Sequence, residues 1–243
     1  METKLLDLLR QLRLAGMAET LVEILARARK SGDPVEAVLH DLCRAELAWR
    51  EERSMDYRLK QAKLPWDWTL QSFPFERQPG VDKSRILSLA GLAFIRQAEN
   101  IVFIGATGTG KTGLAVGLLR NALVNGQRGR FYNAQDLMDE LYASLADRTT
   151  PKLLNRLCRY DLLVIDELGY LTLQPEQANA FFKLMEGRYG RRSTIITTNL
   201  DYEEWYDLFQ RKPLVDAMLD RLQHRCITIK INGPTLRTPL YPD

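Results

Sequence analysis

The sequence predicts an α/β fold, in which a mainly parallel sheet is covered by helices on both faces and is preceded by a small all-helical N-terminal domain. Two observations support this fold. From about residue 82, short apolar runs alternate with helical segments, as they do in consecutive strand–helix–strand units. Before that point, leucines recur at helical spacing between charged residues.

The predicted strands are short apolar runs at Asn100–Ile104, Arg130–Asn133, Leu162–Ile165, Thr194–Thr198 and Ile227–Ile231. The predicted helices between and around them lie at Lys111–Asn125, Gln135–Ala146, Pro151–Arg159, Pro175–Arg188 and Pro213–His224. Strands that alternate with helices in this way imply a mainly parallel sheet.

Residues 1–65 are expected to form the helical domain. The tetrapeptide Ser31–Pro34 stops one helix and starts another, because Asp33 suits an N-cap and Pro34 suits the first helical position. From there to about Leu64, positive and negative charges are interspersed. This pattern is typical of a solvated helix face, and a helix that binds DNA or a partner is the alternative.

Residues 66–81 form a segment of different composition, with Phe73, Pro74 and Phe75 at its centre. We interpret it as an aromatic strap that joins the helical domain to the α/β domain at residues 82–243. Packing along an edge of one domain is the other interpretation.

Composition narrows the possible functions. The 243 residues are 45% hydrophobic, which suits a chain with a substantial core. Lys and Arg number 34 against 31 Asp and Glu, and a net charge of +3 permits nucleic-acid binding without arguing for it. Cys43, Cys158 and Cys226 lack metal-ligand spacing, so we expect reduced thiols in a cytoplasmic protein. Since no apolar run approaches the length of a membrane span, membrane association is not expected.

One motif is specific for nucleotide phosphates. It follows a predicted strand, opens a predicted helix and comprises Gly105, Ala106, Thr107, Gly108, Thr109, Gly110, Lys111, Thr112 and Gly113. In such a loop, backbone N–H groups and the positive end of the helix face phosphate oxygens. We expect Lys111 to reach the β- and γ-phosphates of ATP, and the Thr112 hydroxyl to ligate Mg²⁺. A glycine-rich turn with a chance lysine is the alternative.

Two adjacent carboxylates, Asp166 and Glu167, follow the apolar run Leu162–Ile165. A buried strand would deliver them to the edge of the sheet where ligands bind. We expect Asp166 to hold Mg²⁺, directly or through water, and Glu167 to activate the water that attacks the γ-phosphate. Adjacent strand residues point in opposite directions, so the two carboxylates are not expected to share a role. An acidic pair that merely ends the strand is the alternative.

Asn199 follows another predicted buried strand, Thr194–Thr198. If that strand lies between the strand before the loop and the strand before Asp166, the Asn199 amide would lie beside the γ-phosphate and position the water. Asparagine at the end of a strand is equally suited to an ordinary turn.

Together, Gly105–Thr112, Asp166–Glu167 and Thr198–Asn199 resemble the motifs of the AAA+ ATPases. Features similar to the IstB/DnaC branch of that family are Arg191–Thr194, Asn199–Leu200 followed by Trp205, and Leu219–Leu222. The segment Leu14–Glu19 and the aromatic strap resemble the IstB-like proteins in particular, which are helper ATPases encoded beside the transposase in one class of insertion sequences. The resemblance covers essentially the whole chain.

The resemblance implies roles for three residues. Asn199 falls at the polar position called sensor 1, and Arg237 falls near the sensor-2 arginine. Arg221 falls at the arginine finger, which completes the active site of a neighbouring subunit, so ATP would lie at the subunit interfaces of a homo-oligomer. From the residues alone, Arg221 is instead a helix arginine paired with Asp216 or Asp220.

The insert between the second and third predicted strands is basic. It contains Arg148, Lys152, Arg156 and Arg159, of which the last three recur at helical spacing and could face DNA phosphates. In the AAA+ initiator and loader branch this insert lines the DNA channel, so the resemblance supports that use. A solvated helix face is an equally good interpretation of the pattern.

We therefore predict an AAA+ ATPase without a full lid domain that uses ATP and Mg²⁺. It would assemble on duplex DNA and recruit and regulate the transposase encoded by the same element, with hydrolysis as a timer for disassembly. A DnaC-like replicative helicase loader is the alternative, and it differs in what the N-terminal domain binds. A small-molecule kinase is disfavoured because Glu167 beside Asp166 suits water activation. A non-catalytic, nucleotide-gated DNA-binding protein would be distinguished by an ATPase assay.

Overall fold

A computed structural model of the protein describes residues 2–169 and 171–237. These residues form two compact units, the first ending at Tyr57 and the second beginning at Arg58. The change from one unit to the other falls within a helix, and the functional division at residue 65 stays a prediction. The last residues of the predicted α/β domain, 238–243, lie outside the described residues.

The first unit is helical. Its helices are α1 (Glu2–Gln11), α2 (Ala15–Ser31) and the first part of α3 (Val35–Ala62). Their apolar faces meet in a small core that contains Leu9, Leu21, Ile24 and Leu42. Helix α3 begins at Val35, one residue later than predicted. The Pro34 carbonyl accepts the first hydrogen bond of the helix, from the Val38 N–H at 3.3 Å, so Pro34 is the residue that precedes the helix.

The second unit contains the predicted α/β elements. Its strands are β1 (Asn100–Gly105), β2 (Gly129–Asn133), β3 (Leu162–Asp166), β4 (Ser193–Thr198) and β5 (Cys226–Ile231). Its further helices are α4 (Lys83–Leu89), α5 (Ala93–Arg96), α6 (Lys111–Val124), α7 (Ala134–Ala146), α8 (Thr150–Leu157), α9 (Pro175–Arg188), α10 (Trp205–Phe209) and α11 (Lys212–His224). The predicted strands and helices are all present with ends shifted by at most one or two residues, while the short helices α4, α5 and α10 were not predicted.

The sheet is parallel, with strand order β2-β3-β4-β1-β5. Side chains of one strand alternate between two cores: Val102 packs with Leu184 of α9 on one face, and Ile101 packs with Leu118 of α6 on the other. Both faces are therefore covered, which confirms the predicted fold class. Because β4 lies between β1 and β3, the carboxyl ends of these strands meet at one edge.

The aromatic strap belongs to the second unit and packs along α6. Leu70 lies against Gly117, and Phe73 lies against Gly110 at the start of the helix. The Asp67 carboxylate accepts a hydrogen bond from the Arg120 guanidinium at 2.8 Å. These contacts fix residues 66–73 beside the end of the phosphate-binding motif. Among the described helices, none combines the length and apolar character needed to cross a membrane.

Candidate nucleotide-binding site

The predicted phosphate loop connects β1 to α6 and lines a cavity of about 1260 Å³. Gly108 and Gly110 have φ angles of +82° and +94°, a left-handed conformation that side chains with a Cβ rarely adopt. This conformation lets the chain fold back on itself just before Lys111. The loop therefore presents backbone N–H groups and the N-terminus of α6 to the cavity, an arrangement that suits an anion.

The Lys111 ammonium lies against this loop. It donates hydrogen bonds to the carbonyl oxygens of Gly105 and Ala106, at 2.7 and 2.8 Å. Burial lowers the pKa of Lys111, and the nearby charges of Asp166 and Glu167 oppose that effect. Lys111 is thus a partly desolvated cation, and phosphate oxygens would compensate its charge better than carbonyl groups do.

Asp166 ends β3 and is 4% exposed. Its carboxylate accepts hydrogen bonds from the hydroxyl of Thr112, at 2.9 and 3.1 Å, and from the hydroxyl of Thr197, at 2.6 Å. Burial raises the pKa of Asp166, while the bonds from Thr197 and Thr112 oppose the rise. One carboxylate beside one hydroxyl fits Mg²⁺ that is bound together with phosphate oxygens, because Mg²⁺ commonly takes one or two carboxylates and completes its ligands with phosphates and water.

Glu167 leaves the strand geometry by a sharp change of backbone direction. Its φ angle is +62°, a left-handed conformation that costs a residue with a Cβ about 1–2 kcal/mol. The Glu167 N–H donates to the Thr197 hydroxyl at 2.9 Å, and the Leu168 N–H donates to the Thr197 carbonyl at 2.9 Å. This turn exposes the Glu167 carboxylate, where Asn133 at the end of β2 donates a hydrogen bond to it at 3.2 Å. Glu167 and Asp166 thus have different hydrogen-bond partners because the backbone turns after β3, and their different roles stay a prediction.

Asn199 directly follows β4, and β4 occupies the position between β1 and β3 that its predicted role requires. Asn199 lines the same cavity as Lys111, Asp166 and Glu167. Its Oδ1 atom is buried and makes no hydrogen bond to any part of the chain that the structure describes. A buried carbonyl oxygen of this kind usually has a water or ligand donor.

The segment after β5 is attached to the phosphate loop. The Leu236 N–H donates to the Gly108 carbonyl at 2.8 Å, and the buried Gln78 amide donates to the carbonyls of Thr109 and Pro234, at 3.0 and 2.9 Å. These bonds bring Arg237 to the wall of the cavity, close enough to Lys111 for its charge to lower the pKa of that lysine. Contact between Arg237 and nucleotide stays a prediction.

Arg221 lies elsewhere. It is on α11, lines a second cavity of about 470 Å³ and has a side chain that is 44% exposed. Its ion pair is with Glu186 of α9, at 3.7 Å, and not with Asp216 or Asp220 as the alternative interpretation expected. Arg221 is therefore not a member of the nucleotide cavity of its own chain.

The basic insert is less regular than its sequence spacing suggested. Helix α8 ends at Leu157, so Arg159 lies beyond it and does not continue a helical stripe. Lys152 and Arg156 are on α8, and Arg148 lies before that helix. Arg156 forms an ion pair with Glu140, whose carboxylate also accepts a hydrogen bond from the Tyr132 hydroxyl at 2.9 Å. Because Arg156 and Glu140 both line the nucleotide cavity, one member of the predicted DNA stripe faces that site.

Sequence reasoning missed four residues that shape the site: Asn133, Thr197, Gln78 and Trp68. Thr197 carried a signal, because a hydroxyl within an otherwise apolar buried strand needs a partner. Asn133 carried a weaker one, as a polar residue at the end of a strand.

The parallel sheet, the phosphate loop after β1 and the carboxylates after β3 define a nucleotide-binding protein of the AAA+ class. The crystal structure of the DnaC helicase loader superimposes with a TM-score of 0.59, at 26% identity over 70% of this chain and 100% of that chain. The structure of AMPPCP-bound DnaA from Aquifex aeolicus has the same fold, with a TM-score of 0.57, 20% identity, and coverage of 71% of this chain and 53% of that chain.

The family can be stated more closely. The sequence profile described as "IstB-like ATP binding protein" matches residues 7–239. The IS21 insertion-sequence ATP-binding protein of Pseudomonas aeruginosa is 36% identical over 217 residues, which are 84% of this chain and 82% of the relative. The IS232 counterpart of Bacillus thuringiensis is 34% identical, over 94% and 92% of the two chains. The chain belongs to the IstB-like ATP-binding proteins of insertion sequences, and the predicted resemblance is confirmed.

Proposed function

We propose that this protein is a Mg²⁺-dependent ATPase that assembles on duplex DNA in the cytoplasm, with ATP at its subunit interfaces, and recruits and regulates the transposase of its own insertion sequence. The observation that supports this most strongly is the convergence of Lys111, Asp166, Glu167 and Asn199 on one cavity beside the phosphate loop.

ATP binding would depend on the loop and two side chains. The N–H groups of the loop and the Lys111 ammonium would hold the β- and γ-phosphates. Thr112 and Asp166, which already contact each other, would hold Mg²⁺. Bound Mg²⁺ neutralises charge on the phosphate oxygens.

Hydrolysis would depend on Glu167 and Asn199. The exposed Glu167 carboxylate would accept a proton from the water as its oxygen forms a bond to the γ-phosphorus. The bond from that phosphorus to the β–γ bridging oxygen breaks, and the products are ADP and inorganic phosphate. The Asn199 Oδ1 atom would accept the other hydrogen of the water and fix its direction, since it makes no hydrogen bond within the described chain.

Arg221 would act on the nucleotide of a neighbouring subunit. Its guanidinium is partly exposed and lines a different cavity from Lys111, so a role at the γ-phosphate requires a second copy of the chain. The ion pair with Glu186 would hold Arg221 near the surface until that copy is present. ATP between subunits would then link nucleotide state to assembly.

The DNA and transposase roles rest on the family and on charge. The relatives are ATP-binding proteins of insertion sequences, so we expect the partner to be the transposase of the same element. Three basic residues of the insert are exposed and lie close together in the sequence, and they suit phosphate contacts: Arg148, Lys152 and Arg159.

A DnaC-like helicase loader is the second candidate, and the likeness to the DnaC helicase loader favours it. That likeness spans 70% of the chain, whereas the IstB-like profile spans residues 7–239 and the insertion-sequence relatives match over most of their length. The insertion-sequence role is therefore the better supported one.

Sedimentation on linear duplex DNA tests the proposal. With ATP and Mg²⁺, the protein should sediment with the DNA and carry the transposase of its element, and with ADP both should remain in the supernatant. Lys111→Ala is the matched control, which should resemble the ADP sample. Co-sedimentation that is independent of nucleotide, or binding of a replicative helicase in place of the transposase, would refute it.

A further inference from the structure

Two large aromatic side chains lie exposed on the wall of the nucleotide cavity. Trp66 is 52% exposed and Trp68 is 42% exposed, although tryptophan gains much from burial. Their rings stack on each other, with centroids 4.7 Å apart and planes inclined by 21°. Both line the same cavity as Lys111 and Thr112. A stacked pair that is partly exposed and lines a cavity suits a flat aromatic ligand.

The segment that carries the pair is held in place. The Asp67 carboxylate, between the two rings in sequence, is paired with Arg120 of α6 at 2.8 Å. Immediately after Trp68, Thr69 and Ser72 form a closed turn, in which the Thr69 N–H donates to the Ser72 hydroxyl and the Ser72 N–H donates to the Thr69 hydroxyl, both at 3.1 Å. The rings are thus pre-positioned, which lowers the entropic cost of binding a ligand.

Trp68 also has a defined place relative to the phosphate loop. It lies directly on Gly113, where an added Cβ would be 3.2 Å from Trp68 Cε3 and 3.6 Å from Phe73 Cδ2. Gly113 follows Lys111 and Thr112, which act on the β- and γ-phosphates and on Mg²⁺. A nucleotide whose γ-phosphate points to Glu167 must therefore place its other end away from that carboxylate. Trp68 and Phe73 lie against Gly113 at the start of α6. Other aromatic residues that line the cavity are Tyr160 and, on β2 whose last residue contacts Glu167, Phe131 and Tyr132.

We propose that Trp66 and Trp68 form the surface on which the base of the bound nucleotide stacks. The ligand class is a purine nucleoside triphosphate, because the larger ring system overlaps more of an indole face than a pyrimidine does. This proposal rests on ATP binding at the loop and adds the part of the site that recognises the base. Stacking on an open face does not distinguish adenine from guanine, so the pair contributes affinity for purines rather than choice between them.

Comparison of a ligand with a base and a ligand without one tests the proposal. ATP and inorganic tripolyphosphate are titrated into the protein with Mg²⁺, with Kd measured by calorimetry. Trp68→Ala should weaken ATP binding by about 10- to 100-fold, as expected for loss of one stacked base, and leave tripolyphosphate binding within about twofold. Trp68→Phe should restore most of the affinity, and Trp49→Ala, in the first unit, is the matched control that should bind both ligands normally.

Tryptophan fluorescence of the unmodified protein gives a second readout that needs no variant. ATP should quench the emission, while tripolyphosphate should not. Equal losses of ATP and tripolyphosphate affinity in Trp68→Ala would show that the ring only supports the loop and would overturn the proposal. An unchanged Kd for ATP would overturn it as well. If the unmodified protein binds tripolyphosphate but not ATP, both the base site and the ATPase function are refuted. If ATP affinity falls only in the Trp68 variants, the base site is supported and the ATPase function is unaffected.

Discussion

Thr197 is the residue through which the two carboxylates of the site are held, so Thr197→Val is the most informative substitution. The Thr197 side chain is fully buried, donates to the Asp166 carboxylate at 2.6 Å and accepts from the Glu167 N–H at 2.9 Å. Valine has nearly the same shape and removes both bonds. A hydrogen bond to a charged group contributes about 1.5–3 kcal/mol, and leaving the Glu167 amide unpaired adds about 1 kcal/mol. We therefore expect a loss of about 3 kcal/mol in the free energy of unfolding at neutral pH.

The loss of folding stability in Thr197→Val should depend on pH. The Thr197 bond stabilises the ionised form of Asp166 and opposes the rise of its pKa that burial causes, so valine raises the pKa of Asp166 further. When Asp166 is protonated, the substitution removes only a bond to a neutral group. The destabilisation should thus be smaller near pH 4 and larger near pH 8. If Asp166 holds Mg²⁺ in its ionised form as we propose, ATP binding should need a higher pH in the variant.

Urea denaturation of the nucleotide-free protein between pH 4 and pH 8 measures this effect, and calorimetry at the same pH values measures ATP binding. Thr198→Val is the matched control, because the buried Thr198 hydroxyl accepts one hydrogen bond, from the Leu200 N–H at 3.0 Å. It should cost about 1 kcal/mol at every pH. If the two variants have the same stability and the same pH profile, Thr197 does not hold Asp166 and the reasoning is refuted.

Three further predictions concern stability, subunits and DNA. Asp166→Asn should abolish Mg²⁺-dependent ATP binding yet stabilise the fold in chemical denaturation at neutral pH. The pKa of Asp166 is raised in the native state, so the ionised carboxylate destabilises the fold at pH values above the unfolded-state pKa of about 3.8. The stability gained by the variant should therefore vanish as the pH falls below that value. Arg221→Ala and Lys111→Ala proteins should each lack ATPase activity but recover part of it when mixed, and no recovery in mixtures that co-assemble by light scattering would confine Arg221 to its own subunit. Alanine at three basic positions together should lower the salt dependence of duplex binding by about 0.9 per lost phosphate contact, and an unchanged slope would assign them to solvated surface. These positions are Arg148, Lys152 and Arg159, which are exposed residues of the basic insert.

The elements around the phosphate loop could be predicted because their signals are local. A buried parallel strand needs a continuous apolar run, and Leu162–Ile165 supplies one directly before its polar end. The loop pattern around Lys111 fixes strand, turn and helix in one short stretch. The predicted position of Asn199 beside the γ-phosphate required that β4 lie between β1 and β3, and the strand order confirms that condition.

The features that could not be predicted depend on contacts between distant parts of the chain. The left-handed backbone of Glu167 is supported by Thr197, and no rule of spacing connects residues on two different strands. The partner of Arg221 is Glu186 on another helix, whereas sequence reasoning considered only neighbours on its own helix. Helical spacing extended the basic stripe to Arg159, but α8 ends at Leu157 as the chain approaches β3.

The role of the strap was open for the same reason. Its aromatic residues suggested a link between domains or edge packing, and composition cannot say against which surface an aromatic residue lies. Packing of Trp68 on Gly113 places it beside the phosphate loop, and that contact joins segments that are far apart in sequence.

Single-turnover phosphate release by Glu167→Gln tests the central claim most directly. Glutamine keeps the shape of the side chain and leaves Thr112 and Asp166 unchanged, but it cannot accept a proton from water. The experiment uses protein in excess over ATP, with Mg²⁺ present at a saturating concentration. The variant should bind ATP with the affinity of the unmodified protein and release phosphate about 10²- to 10⁴-fold more slowly, since general-base catalysis contributes about that factor. Phosphate release at the same rate in both proteins would contradict the assignment of Glu167 as the residue that activates water.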